Sequence, residues 1–88
     1  MSTLRLRDTD LHWREIDGEI IALEARGSTY LAADGAGTLL WRALAAGATP
    51  EALADELVRA YGIERERAIA DAEQFVARLT EQGLLVAV

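Results

Sequence analysis

The stretch Leu11-His12-Trp13-Arg14-Glu15-Ile16-Asp17-Gly18-Glu19-Ile20-Ile21-Ala22-Leu23-Glu24-Ala25 decides the fold class. Its halves, residues 11–16 and 19–25, are short and rich in β-compatible side chains. Asp17-Gly18 between them is the dipeptide that supplies the positive φ angles of a tight hairpin turn. On the second strand Ile21 and Leu23 share one face by the strand period of two. Gly27 marks another turn, after which residues 28–33 read as a third strand. The expectation is a three-stranded antiparallel meander.

Downstream the apolar spacing changes to that of helices. Asp34 is placed to cap a helix beginning at Gly35, since its carboxylate can accept from free backbone N–H groups there. Leu40 and Leu44 lie four apart on one face of that helix, and Gly47 stops it. Thr49 caps a second helix with Pro50 at its first position, where the missing N–H costs nothing. Leu53, Leu57, Val58 and Tyr61 are expected to face inward from it, and Gly62 ends it. A third helix over residues 64–82 carries Ala68, Ala72, Phe75, Val76 and Leu79 at helical spacing, with Gly83 in the position of a left-handed cap. Leu84, Leu85 and Val86 follow as a short apolar tail. Upstream, residues 1–10 show no sustained period and read as a loose N-terminal arm in which Leu4 and Leu6 are free to pair weakly with another segment, leaving residues 11–88 as the domain. The expected class is α+β, a winged helix-turn-helix-like arrangement with the three-stranded sheet first and three helices after it.

Eighty-eight residues, 51% hydrophobic and 27% charged, suit one small folded unit with a single core. The net charge of −6 is spread evenly, with four bases against seven acids up to Asp34 and five against eight after it. Duplex binding draws most of its nonspecific affinity from neutralised phosphates, so an evenly acidic chain is a poor nucleic-acid partner, and anionic membranes are disfavoured for the same reason. The absence of cysteine removes disulfides and thiolate metal sites and suits the cytoplasm. Arg5 and Arg7 interrupt Leu4 and Leu6, so no apolar run of signal-peptide or membrane-spanning length stands at the N-terminus.

No catalytic constellation emerges. His12 is the only histidine and has no placeable nucleophile or carboxylate partner. Asp8 with Asp10, or Glu15 with Asp17, offers hard-cation ligands of the kind usually left solvated on hairpins. Glu64 and Glu66, like Asp71 and Glu73, are two apart on a helix and face different ways. Ser2, Ser28, Thr29 and Thr80 sit in no nucleophile elbow. Gly35 and Gly37 form a G-x-G without the lysine, third glycine or strand-helix-strand unit of a phosphate loop. Trp13 and Trp41 read as packing residues. The chain is therefore expected to be neither an enzyme nor dependent on a cofactor or metal.

What remains is surface geometry. The strand over residues 28–33 is last in the meander and carries no charge, Lys or Pro to blunt its outer edge. Such an edge is a template for an incoming extended peptide, with the third helix as a wall. At this point the alternatives, an edge covered by the N-terminal arm or by a second copy, stay open.

The run Tyr30-Leu31-Ala32-Ala33-Asp34-Gly35-Ala36-Gly37-Thr38-Leu39-Leu40-Trp41-Arg42-Ala43-Leu44, followed by Gly47-Ala48-Thr49-Pro50-Glu51-Ala52-Leu53, Tyr61-Gly62-Ile63, Asp71, Phe75, Leu79 and Gly83-Leu84-Leu85, resembles the PqqD-like family. These are the peptide-recognition domains of ribosomally made, post-translationally modified peptides. As an acidic, free-standing domain it is most similar to the recognition half of a split B protein of lasso-peptide biosynthesis. It departs from the family at Ala33, where a larger aliphatic residue is common, and at Asp34, where Asn often stands. The resemblance implies a non-catalytic domain that takes a precursor's leader segment as an added strand, then delivers it to a leader peptidase and a macrolactam-forming cyclase. The strand residues implied are Gly27, Ser28, Thr29, Tyr30, Leu31 and Ala32. Tyr30 and Leu31 point to opposite faces, so one lines the groove and the other meets the core. On the helix, Ala72 is expected to admit close approach, Phe75 and Val76 to form an apolar wall, and Asp71 or Arg67 to select at the rim. Alternatives are a PqqD-type peptide chaperone for a radical SAM enzyme, a DNA-binding winged helix and a bare oligomerisation module. The DNA reading has to contend with a third helix that sets Arg65, Arg67 and Arg78 against Glu64, Glu66, Asp71, Glu73 and Glu81.

Overall fold

A computed structural model of the chain describes residues 3–24 and 29–88. Their order is β1 (Leu4–Leu6), β2 (Leu11–Ile16), β3 (Glu19–Glu24), β4 (Thr29–Ala33), α1 (Ala36–Ala46), α2 (Pro50–Tyr61), α3 (Arg65–Glu81) and β5 (Leu85–Ala87). This is an α+β fold whose strands pair only antiparallel. β2, β3 and β4 pair in that order, and β1 and β5 form a separate two-stranded ribbon. The β2–β3 turn is the tight one that Asp17-Gly18 encodes, with φ of 51° and 81°. It sets a register that pairs Ile16 with Glu19 and Trp13 with Ala22.

The ribbon corrects the expectation of a single sheet with a loose arm before it. Leu4 pairs with Ala87 and Leu6 with Leu85, Leu4 exchanges two 2.8 Å backbone hydrogen bonds with Ala48, and Leu6 is only 5% exposed. The physical reason is that Leu-Arg-Leu does alternate with a period of two, but its partner lies at the other end of the chain, beyond any local reading. The apolar tail at 84–86 is that partner: Leu84 is buried in the core and Leu85–Ala87 form β5.

The helix ends show how the strands hand over to the helices. Asp34 does not cap α1. The Ncap position falls on Gly35, whose φ of 55° and ψ of −120° an L side chain rarely adopts, and no side chain caps that end. Gly37 gives close approach instead: a Cβ there would sit 3.1 Å from the Cβ of Ala33, a tight fit, and 3.6 Å from the Phe75 ring. The G-x-G is thus the joint that brings β4, α1 and α3 together. Thr38 fastens the same joint, its hydroxyl lying 2.7 Å from the Gly18 carbonyl oxygen and 3.2 Å from that of Ala33. Thr49 caps α2 as its sequence implies, its hydroxyl accepting from the Ala52 N–H at 3.1 Å. Gly62 ends α2 at φ 63°.

The core lies between the inner face of β3, with Ile20 and Ala22, and the three helices, which contribute Trp41, Leu44, Leu53, Leu57, Ala68, Ala72 and Leu79. Trp13 meets Trp41 edge to face, with ring centroids 5.8 Å apart. Tyr61 departs from the expected inward set: at the last turn of α2 it is 52% exposed, and Ala54 takes a buried place on that helix instead. Among the described residues no helix is long and apolar enough to cross a membrane.

Candidate functional site

The strand order β2-β3-β4 leaves two outer edges, and the residue chemistry of the two differs. β2 carries His12, Arg14 and Glu15, and Glu15 is tied across to α1 by a bidentate ion pair with Arg42. The hydrogen bond from Arg42 holds the Glu15 carboxyl below the usual range, and Glu15 in turn raises Arg42. Charges of this kind blunt a strand edge. β4 reads Thr29-Tyr30-Leu31-Ala32-Ala33, with no charge and about 17 Å of backbone. Among the described residues its pairing partner is β3 alone, Thr29 opposite Glu24 and Ala33 opposite Ile20.

Two neighbouring cavities lie between the β4–α1 junction and α3, and together they are called the furrow. One cavity, of about 280 Å³, is lined by Ala33, Asp34, Gly37, Phe75 and Arg78. A second, of about 350 Å³, is lined by Gly35, Ala36, Leu57, Tyr61, Ile63, Arg67 and Asp71. Residues 33–37 therefore form one lip and Arg67, Asp71, Phe75 and Arg78 the other. These four lie at i, i+4, i+8 and i+11, one stripe of a helix. Arg67 and Asp71 form an i,i+4 ion pair at 3.8 Å, and the Arg78 guanidinium lies over the Phe75 ring, 5.6 Å from its centroid. A larger depression of about 480 Å³ lies on β2 and β3, lined by Leu11, His12, Trp13, Arg14, Ile21 and Leu23. It has no helical wall and borders the charged edge strand.

The residues expected at the site fare differently. Gly27 and Ser28 lie outside the described residues. The backbones of Thr29, Tyr30, Leu31 and Ala32 form β4, with Leu31 in register opposite buried Ala22 and Tyr30 opposite exposed Leu23. Arg67 and Asp71 line the cavity of about 350 Å³ and Phe75 the cavity of about 280 Å³, along one stripe of α3. Ala72 does not: it is fully buried in the core, because it lies on the stripe with Ala68 and Leu79 that meets the other helices. Val76 is packed against the core and lines neither cavity. Phe75, 8% exposed, serves core and furrow together. Sequence reasoning missed Arg78 and the Asp34–Gly37 lip. The signal for Arg78 was present, since it stands three residues after Phe75 and shares its side of the helix. Among the described residues there is no group of three or more His, Cys, Asp and Glu that could hold a metal ion.

The sequence pattern of the family described as coenzyme PQQ synthesis protein D (PqqD) matches residues 19–85. The chain belongs to the PqqD family. Two solved structures share this PqqD fold closely. One is TbiB1 in complex with the TbiA(beta) leader peptide, 27% identical, with a TM-score of 0.85 over 92% of this chain and 93% of that one. The other is a lasso peptide synthetase B1 complexed with the leader peptide, 26% identical, with a TM-score of 0.82 over 94% of this chain and 96% of that one. No curated protein matches the chain by sequence.

Proposed function

We propose that this PqqD-family domain binds the leader segment of a ribosomally synthesised precursor, of the lasso-peptide class, and does no chemistry itself. The leader adds as a strand to the outer edge of β4 and drops side chains into the furrow against α3. The observation that carries this is the uncharged edge of β4 opening onto a walled furrow, while the opposite edge of the same sheet is charged and pinned by Arg42. Backbone hydrogen bonds of about 1 kcal/mol each supply affinity, and apolar leader side chains in the Leu57, Tyr61 and Ile63 cavity supply more. In this reading α2, the turn at Gly62 and α3 with the three-strand sheet form a winged helix-turn-helix used for peptide rather than DNA. The domain works in the cytoplasm and hands the bound precursor to a separate leader peptidase and a macrolactam-forming cyclase. The likeness of nearly the whole chain to two B1 proteins bound to leader peptides favours this pathway over peptide chaperoning for a radical SAM enzyme.

Titration with the precursor encoded beside the gene, followed by backbone amide shifts, tests the reading. The expected result is shifts centred on Thr29–Ala33 and the α3 lip, with an affinity that changes little with salt. Shifts confined to β2, or none, would overturn strand addition at β4. A steep loss of binding with added salt would point to phosphate partners instead.

A further inference from the structure

The α3 lip carries three charges, and two of them cancel: Arg67 and Asp71 pair with each other. Arg78 is left. Among the described residues no carboxylate lies within ion-pair distance of it, whereas Arg42, Arg59, Arg65 and Arg67 each have one. Its guanidinium instead rests over Phe75, a ring held by the core, so it is oriented by a rigid platform rather than by another charge. It shares its cavity with Ala33, the last residue of β4, so a strand added along β4 brings one of its side chains to this point. Asp34 lines the same cavity from the opposite lip and repels an incoming carboxylate from that side. A planar guanidinium with free donors and a fixed orientation is matched by a carboxylate.

Resting on the peptide-binding reading above, we propose that Arg78 is a specificity determinant that selects an aspartate or glutamate side chain at one position of the bound strand, the one beside Ala33. The whole molecule carries a charge of −6, which disfavours acidic peptides in general. The selection is therefore for one acidic residue at one place, not for an acidic ligand. A merely structural role for Arg78 is also available, because it stands in the last turn of α3 where a cation complements the helix dipole. That role would affect stability and leave peptide preference unchanged.

The test is selection of a displayed library of random twelve-residue peptides on the wild-type chain and on R78K, R78Q and R78E, with the amide spectrum of each protein recorded alone and with its selected peptides. The expected result is enrichment of Asp or Glu at a single position with wild type, weakened with R78K, which keeps the charge and loses the planar fork. R78Q loses it, and R78E replaces it with Lys or Arg. Exchanging that acidic residue for its amide weakens binding to wild type about fivefold and to R78Q hardly at all. If selected peptides shift the Thr29–Ala33 amides yet show no acidic preference, or keep it with R78Q, the role of Arg78 is overturned while strand addition stands. A selection that returns no binder, or binders that leave β4 unmoved, overturns strand addition itself and this inference with it.

Discussion

Thr38 is the one buried residue with a polar side chain in the described core, and its hydroxyl joins α1 to both the β2–β3 turn at Gly18 and the end of β4 at Ala33. Thr38→Val keeps the shape and leaves a part-buried carbonyl without its donor, so it is expected to cost about 1–3 kcal/mol in urea unfolding. Thr38→Ser should recover most of that loss. If Thr38→Val proved as stable as wild type, the hydroxyl would be irrelevant to the joint. The Glu15–Arg42 pair behaves differently because it is exposed. Arg42 lowers the native Glu15 pKa, so the pair's contribution is fully present above the ordinary glutamate range and is lost as pH falls through the lowered native value. Glu15→Gln should accordingly be less stable than wild type near neutrality, and the two melting temperatures should converge in acid.

The strands show where a local reading succeeds and where it stops. Asp17-Gly18 announces the β2–β3 hairpin because its chemistry and its geometry are the same few atoms. Thr49-Pro50 and Gly62 announce α2 in the same way. β1 is not readable locally, because Leu-Arg-Leu becomes a strand only when β5 arrives from the far end of the chain. Asp34 has the side chain of a cap, yet the tight turn into α1 takes the positive φ of Gly35 at the position a cap would occupy. The site was half legible for a related reason. An uncharged final strand can be seen in the residues, whereas Ala72 and Arg78 are sorted between core and furrow only by the rotation of α3 against its neighbours. β4 also sets a test at this scale. In an antiparallel edge strand successive N–H groups alternate between the inner partner and the open side. Prolines at Thr29 and Leu31 on the one hand, and at Tyr30 and Ala32 on the other, should therefore divide into two classes. One class abolishes leader capture with little change in melting temperature, and the other weakens the sheet itself. Tight binding by all four variants would exclude pairing along β4.

At the scale of the whole molecule the two sides of the furrow belong to different parts of the chain. One is the β4–α1 joint, and the other is α3, which leaves the core through the positive-φ turn at Gly83 and passes into the ribbon. Leu6→Ala removes a buried side chain from that ribbon and is expected to cost about 2–5 kcal/mol in chemical unfolding. The ribbon joins β5, just beyond α3, to β1, and β1 in turn bonds to Ala48, just beyond α1. The helix on one side of the furrow is thus tied, through β5 and β1, to the segment that follows the helix opening the other side. The two sides of the furrow are therefore joined by a seam outside it as well as through the core. Changes at Leu6 or Val86, which line neither furrow cavity, are expected to lower leader affinity in a calorimetric titration by loosening that seam.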